Sequence, residues 1–283
     1  MQTIKDEVFS GERPLFETHD TELVNVTIGT GESAIKECSN IVARNCIFEG
    51  KYPFWHVDGF RIYDCLFRET ARAALWYSRN VVMKDTLIEA PKMFRMMDGI
   101  DLENVKIPLA QETLWDCRNI KLRNVEVENA DYIFMHCDNV DIKDYHQEGN
   151  YSFQYVKNGV IRNAVLNSRD ALWNTENVTV YDSEINGEFI GWYSENLKLV
   201  NCRISGTQPL CYIKNLVMIN CVMAEDCDRC FEDSEVYATI DSKVTSVVNP
   251  RTGFIKARGF GEVTIDKNVR QPGYCKIISE SAD

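Results

Sequence analysis

The chain has 283 residues, 45% of them apolar and 26% charged, and 31 Lys and Arg against 43 Asp and Glu leave a net charge of −12. That apolar content supports a large core and excludes wholesale disorder. The acidic balance excludes an extended nucleic-acid or anionic-membrane surface, which needs clustered Lys and Arg, and no apolar run approaches the ~20 residues of a membrane span.

The first segment, MQTIKDEVFSGERPLF, has no basic region followed by an apolar stretch, so no secretory signal is read and a cytoplasmic location is expected. Beyond it, one phrase keeps returning: NIVARNCIF at 40–48, NVVMKDTLI at 80–88, NIKLRNVEV at 119–127, NVTVYDSEI at 177–185, NLKLVNCRI at 196–204 and NLVMINCVM at 215–223. Its central residue defines a column of Asn25, Asn45, Asp64, Asp85, Asn104, Asn124, Asp144, Asn163, Asp182, Asn201, Asn220 and Asp241, spaced 19 to 21 residues apart. A fixed period of this length marks a solenoid.

Local chemistry gives the type of solenoid. Two residues before the column the side chain is apolar (Ile62, Leu102, Leu122, Leu199), and one before it is often charged (Lys84, Arg123, Lys143). One after, it is small or apolar (Cys46, Cys65, Val125). This is period-two alternation on both sides of a residue type that tolerates left-handed backbone, so two short strands meet at a bend. A second turn column holds Asn40, Gly59, Asn80, Gly99, Asn119, Asn139, Asn177, Asn196 and Asn215, and a third is small in every coil from Gly11 to Cys227.

Three turns and three strands per period predict an all-β, single-domain, right-handed parallel β-helix. About twelve coils would cover 11–245 of a 1–283 domain, with 246–283 an irregular C-terminal cap. At about 4.8 Å per coil the rod would be on the order of 50 Å long. Asn side chains in register would bond along it, so both Asn columns are read as structural. Eleven cysteines, an odd number without a signal, favour free thiols used as small apolar fillers. Cys227 and Cys230 form a C-x-x-C without the second half of a zinc site, so no metal and no cofactor are expected.

The first strand of each coil varies most. An apolar column (Leu75, Phe94, Leu114, Leu172 and equivalents) is followed by Phe16, Lys36, Trp55, Trp76, Arg95, Trp115, Met135, Gln154, Trp173, Trp192, Cys211 and Glu232. Lys, Arg, Gln and Glu in the same column are costly to bury, so the tryptophans are expected to face outward. The next position, with His56, Tyr77, Asp116, Asn174 and Tyr193, reads as a bend. Flat aromatics interleaved with charges and amides suit a sugar. The expected substrate-binding set is therefore Trp55, Trp76, Tyr77, Arg72, Lys92, Arg95, Trp115, Gln154, Trp173, Asn174, Trp192 and Tyr193, with an oligosaccharide or polysaccharide as partner.

For catalysis, Asp170 and Glu188 occupy near-equivalent positions on neighbouring coils, within the ~5–9.5 Å that glycoside hydrolysis needs. Repulsion and nearby indoles would raise one pKa to make an acid. Glu112 and Asp116 are the other candidate carboxylates. Alternatively, Arg72, Lys92 and Arg95, beside Tyr77 and His56, would neutralise a uronate and supply a base for β-elimination.

A β-helix with Asn columns resembles the pectin-lyase-like superfamily. GERPLF, KYPFWH, ARAALWYS, APKMFR, DALWNTENVTVYDS and GTQPLCY are similar to an uncharacterised bacterial family of unknown function within it, over about 10–255. The resemblance implies the fold and brings no activity. The Gly-His-Gly and Arg-Ile-Lys tripeptides of polygalacturonase-like members are absent, and DGID at 98–101 flanks a turn on another face. No acidic triad like that of the calcium-binding pectate lyases is evident. Three functions stay open: a carbohydrate-processing glycosidase or lyase, a non-catalytic carbohydrate-binding module, and a structural or protein-interaction solenoid.

Overall fold

The computed structural model describes residues 1–266 and 274–280. The chain divides into two compact units, Met1–His146 and Gln147–Asp283. Each is an all-β solenoid of parallel strands. Among the described residues the only helical element is a single 3-10 turn at Glu69–Ala71, and no helix is long and apolar enough to cross a membrane.

In the first unit, strand Asp98–Ile107 lies between Arg79–Ile88 and Arg118–Val127, and like positions meet one coil apart: Met83 beside Leu102, and Leu102 beside Leu122. The second unit repeats the pattern, with Thr179 beside Lys198 and Lys198 beside Val217. The long strands of the first unit are bent at the Asn/Asp column, where Asp85, Asn104 and Asn124 have φ of 51°, 55° and 53°. These residue types tolerate the left-handed region, and here their side chains also bond between coils. Asn45 Nδ2 donates to Asn25 Oδ1 at 2.7 Å, Asn124 to Asn104 at 2.8 Å, and Asn201 to Asp182 at 2.8 Å. In the second turn column Asn196 donates to Asn177 at 2.9 Å and Asn215 to Asn196 at 2.8 Å.

Inward positions on both sides of the bend form the core. Ile62, Leu102, Leu122 and Leu199 are buried, as are Cys46, Cys65, Cys202 and Cys221. All eleven cysteines are free, and only Cys275 is partly exposed. The S–H groups of the ten buried ones find backbone acceptors, as Cys137 does in Leu114 O at 3.0 Å. Cys227 and Cys230 follow the rule, the second donating to the carbonyl of the first.

Two expectations are corrected. The segment before each bonded strand pair is not a third strand but a run of turns. In the first unit, strand there is limited to the two-residue pair Ile35–Lys36 and Phe54–Trp55 and to isolated bridges at Lys51, Trp76, Arg95 and Trp115. Every second residue of the run is left-handed: Lys92, Phe94 and Met96 have φ of 60°, 57° and 51°. The coils still hold each other by backbone bonds, such as Tyr77 N to Arg95 O at 3.0 Å and Met96 N to Trp115 O at 2.9 Å. A left-handed Leu or Phe costs about 1–2 kcal/mol, whereas full burial of such a side chain contributes about 1.5–3 kcal/mol. Leu75, Phe94, Phe134, Phe153, Leu172, Leu210 and Phe231 are all left-handed and fully buried, so burial wins.

The second correction concerns 246–283. Strand Glu235–Val248 pairs in parallel with Thr252–Thr264, which pairs with Lys276–Ser279. Ile255 and Ala257 fill inward positions beside Ala238 and Ile240. Glu235 is opposite Thr252, a step of 17 residues, so the period shortens there. Residues 267–273 and 281–283 of the expected cap lie outside the described residues.

Candidate functional site

The turn run carries the tryptophans, and alternating left-handed residues aim them sideways along the solenoid. In the first unit Trp55 and Trp76 stack with ring centroids 6.1 Å apart and planes 16° from parallel, and Tyr52 lies 4.9 Å from Trp55. The next coil places Arg95 in the stack. Its guanidinium carbon is 4.4 Å from the Trp76 ring on one side and 4.4 Å from the Trp115 ring on the other. All five indole N–H groups are used by backbone of the following coil. Trp55 donates to Ala73 O at 3.1 Å, Trp76 to Lys92 O at 2.7 Å, and Trp115 to Tyr132 O. In the second unit Trp173 donates to Phe189 O and Trp192 to Gln208 O, both at 2.7 Å.

Charges beside the first stack are paired off. Glu112 accepts from Lys92 Nζ at 3.1 and 3.0 Å and lies 3.6 Å from Arg95 Nη2. Asp116 is 3.4 Å from His136 Nδ1. Arg95 Nε and Nη2 are buried without a hydrogen-bond partner, while rings cover both faces of the group. Arg72 is exposed and, among the described residues, makes no ion pair. Outside the indoles runs a ridge in which His56 and Tyr77 stack at 5.2 Å; Tyr77 is 41% and Met96 52% exposed.

The second unit holds the remaining expected residues. Trp173 and Trp192 stack at 5.7 Å with planes 2° apart, and Tyr193 stacks on Tyr212 at 5.0 Å. Asn174 is half-buried beside them, while Gln154 is buried, contrary to its expected place on an open stripe. Asp170 is 5% exposed, and its Oδ1 has no partner. Between it and Glu188 stands Arg169, with Nε 3.7 Å from Asp170 Oδ2 and 3.5 Å from Glu188 Oε2. Burial raises the Asp170 pKa, Arg169 lowers it, and Glu188 raises it further, with a net upward direction.

The expected stripe is thus brought together as two groups, one in each unit. Trp55, Trp76, Tyr77, Lys92, Arg95, Glu112, Trp115 and Asp116 form one, and Asp170, Trp173, Asn174, Glu188, Trp192 and Tyr193 the other. Indoles stacked face to face present edges outward, so a sugar ring finds edges and not open faces. Sequence reading missed Arg169 as the group between the carboxylates, although it immediately precedes Asp170. It also missed Phe189, 4.9 Å from Trp192. Among the described residues no three His, Cys, Asp or Glu side chains are grouped to hold a metal ion.

A family model described as "Protein of unknown function (DUF3737)" matches residues 2–278. The chain belongs to this family. No curated protein matches DUF3737's present member. Among solved structures, the chain is similar to HetL, a pentapeptide repeat protein involved in heterocyst differentiation regulation from the cyanobacterium Nostoc. That match has 10% identity and a TM-score of 0.27, covering 83% of this chain and 86% of that one. QnrB1, a plasmid-mediated fluoroquinolone resistance protein, matches at 13% identity and a TM-score of 0.23, covering 76% and 83%. The catalytic domain of a GH87 alpha-1,3-glucanase, in complex with nigerose, matches at 10% identity and a TM-score of 0.31, covering 99% of this chain and 63% of that one. At these TM-scores the likenesses carry no argument about function.

Proposed function

We propose that this DUF3737 chain is a non-catalytic interaction solenoid whose turn-rich face docks a protein partner. The observation that carries it is the use of every indole N–H by backbone, with the rings stacked on one another. The tryptophans act first as a spine, and what they hold outward is an exposed ridge of His56, Tyr77 and Met96. Tyr, Met and Arg beside half-buried Trp is the composition of protein interfaces, with aromatic anchors inside a polar rim. A right-handed, pectin-lyase-like coil is the finer fold that the bonded Asn columns support.

A photo-crosslinking residue at position 96 tests the docking. A discrete protein adduct is expected in the native cell, lost in Tyr77→Ala while the circular dichroism spectrum is unchanged. An adduct made only with carbohydrate, or none at all, overturns the reading.

A second reading, carbohydrate processing, is favoured by Asp170. A carboxyl whose pKa is raised by burial, with Glu188 on the next coil, is the pairing an acid-catalysed glycoside hydrolysis uses. In that reading Arg169 swings out when substrate enters. Asp170→Asn would then abolish turnover and spare glycan binding; turnover surviving in that variant would remove this reading.

A further inference from the structure

The geometry points to a second binding site, distinct from the ridge: a groove on the paired strands of the Met1–His146 unit that takes an acidic oligosaccharide lengthwise. The groove has a volume of about 430 Å³ and is lined by Asn40, Gly59, Arg61, Asn80, Val82 and Gly99, with Asp101 and Lys121. Its floor is a row of outward residues, in register from coil to coil, that runs from Arg61 to Val82 to Asp101.

The groove exists because two members of the second turn column are glycine. Gly59 has φ of 68° and Gly99 of 79°, close to the 51°, 58° and 56° of Asn40, Asn80 and Asn119 in the same column. Asn therefore suits the backbone at both places and would extend the bonded column. A Cβ on Gly59 would meet nothing within 4 Å, and one on Gly99 would meet only Asn80 Oδ1 and backbone at 3.0 Å or more. The glycines forgo that bonding and add backbone entropy to the unfolded chain. What they gain is space, together with two uncommitted acceptors. Asn40 and Asn80 give their Nδ2 to Asp20 and Asp58, at 2.6 and 2.9 Å, while no hydrogen bond ends on either Oδ1.

These features define the ligand. Two amide oxygens two coils apart, about 9.6 Å along the solenoid, accept hydroxyl donors at the spacing of alternate sugar units. Val82, on the Asn80 coil, takes the apolar face of a ring, and Arg61 stands on the coil between the two Asn residues. Among the described residues Arg61 makes no ion pair, so it offers a charge-assisted bond to a carboxylate. Asp101 is held by Lys121 at 3.2 Å and does not stand as a free opposing charge. A peptide adding as a strand needs an open sheet edge, and strand Asp58–Tyr63 is paired on both sides. A single unpaired cation is too few for a nucleic acid.

Titration calorimetry at low salt with trigalacturonate tests the site, using the full chain. Binding is expected, with at least a ten-fold loss in Arg61→Gln and complete loss in the Gly59→Asn/Gly99→Asn double variant. Melting temperatures are measured alongside, and Gly59→Asn alone, whose Cβ meets nothing within 4 Å, is expected to weaken binding at native stability, so that loss of binding is separated from unfolding. Trp115→Phe should leave binding unchanged. No binding to native protein, equal binding in the groove variants, or equal affinity for neutral maltotriose would overturn the proposal. Loss in Trp115→Phe alone would place the glycan on the ridge and overturn it as well. The protein-docking reading of the ridge stands or falls separately, on the crosslink at position 96.

Discussion

Asp170 and Trp76 show what single side chains contribute here. The Asp170 carboxyl is buried with one oxygen unpartnered, and its folded-state pKa lies above the ordinary 3.8. Between those two values the folded protein holds a proton that the unfolded chain has released, so stability falls as pH rises through that window and stays reduced at neutrality. Asp170→Asn keeps the shape and tolerates φ of 55° but removes the charge. We expect it to raise unfolding stability at pH 7 in urea titrations, with the gain lost as pH falls below the ordinary carboxylate value. A variant less stable than the native chain at pH 7 would contradict this. Trp76→Phe tests the spine. It deletes the bond to Lys92 O, about 0.5–1.5 kcal/mol, and weakens the ring contact with Arg95, about 0.5–1 kcal/mol. A loss of about 1–2 kcal/mol is expected, and a double-mutant cycle with Arg95→Met isolates the ring–cation part.

Within a coil, the elements divide into those the sequence announces and those it conceals. The bends at Asn45, Asp64, Asn104 and Asn201 are legible because only a few residue types sit easily at positive φ, and the chain uses them there in every coil. The turn run is not legible. Phe94, Leu114 and Leu172 carry no local sign of a left-handed backbone, and their alternation with outward residues imitates a strand. Tertiary burial sets their conformation, against propensity. The site inherits this: that the tryptophans lie half-exposed follows from the polar members of their column, but that they stack edge-outward depends on the turns. The third column was equally opaque, since Gly and Ala read alike there. Gly206 has φ of 113°, and a Cβ on it would stand 1.9 Å from Gly187 O, whereas Ala90 and Ala110 occupy the same column comfortably. Gly206→Ala should therefore cost about 3 kcal/mol or more. Gly29→Ala, whose Cβ would be 3.4 Å from Phe9 O, should stay within about 0.5 kcal/mol of the native chain in the same denaturation assay.

For the whole molecule, a period of about twenty residues announces a parallel solenoid before any coordinate is seen, because each coil can bury its apolar side chains only against its neighbours. What escapes a fixed period is its change: the step of 17 residues between Glu235 and Thr252 hides a strand pair that Ile255 and Ala257 nonetheless complete. The cysteines follow this packing through the chain and give a test of it. Cys38, Cys46, Cys65, Cys117 and Cys137 are buried in the first unit, and Cys202, Cys211, Cys221, Cys227 and Cys230 in the second. Burial also pushes the Cys211 and Cys227 thiols up to about 12, so they are protonated as well as inaccessible at neutral pH. Cys275 is raised to about 11 but is partly exposed. A thiol reagent at pH 8 should therefore label Cys275 first, and slowly for an exposed thiol because little thiolate is present. The other ten should react only as their coils open, at rates that climb steeply through the urea transition. Mass spectrometry assigns each label to its unit and so reads the stability of each separately. Prompt labelling of Cys46 or Cys202 in the native protein would mean that the small inward positions beside the Asn bends are not packed as described.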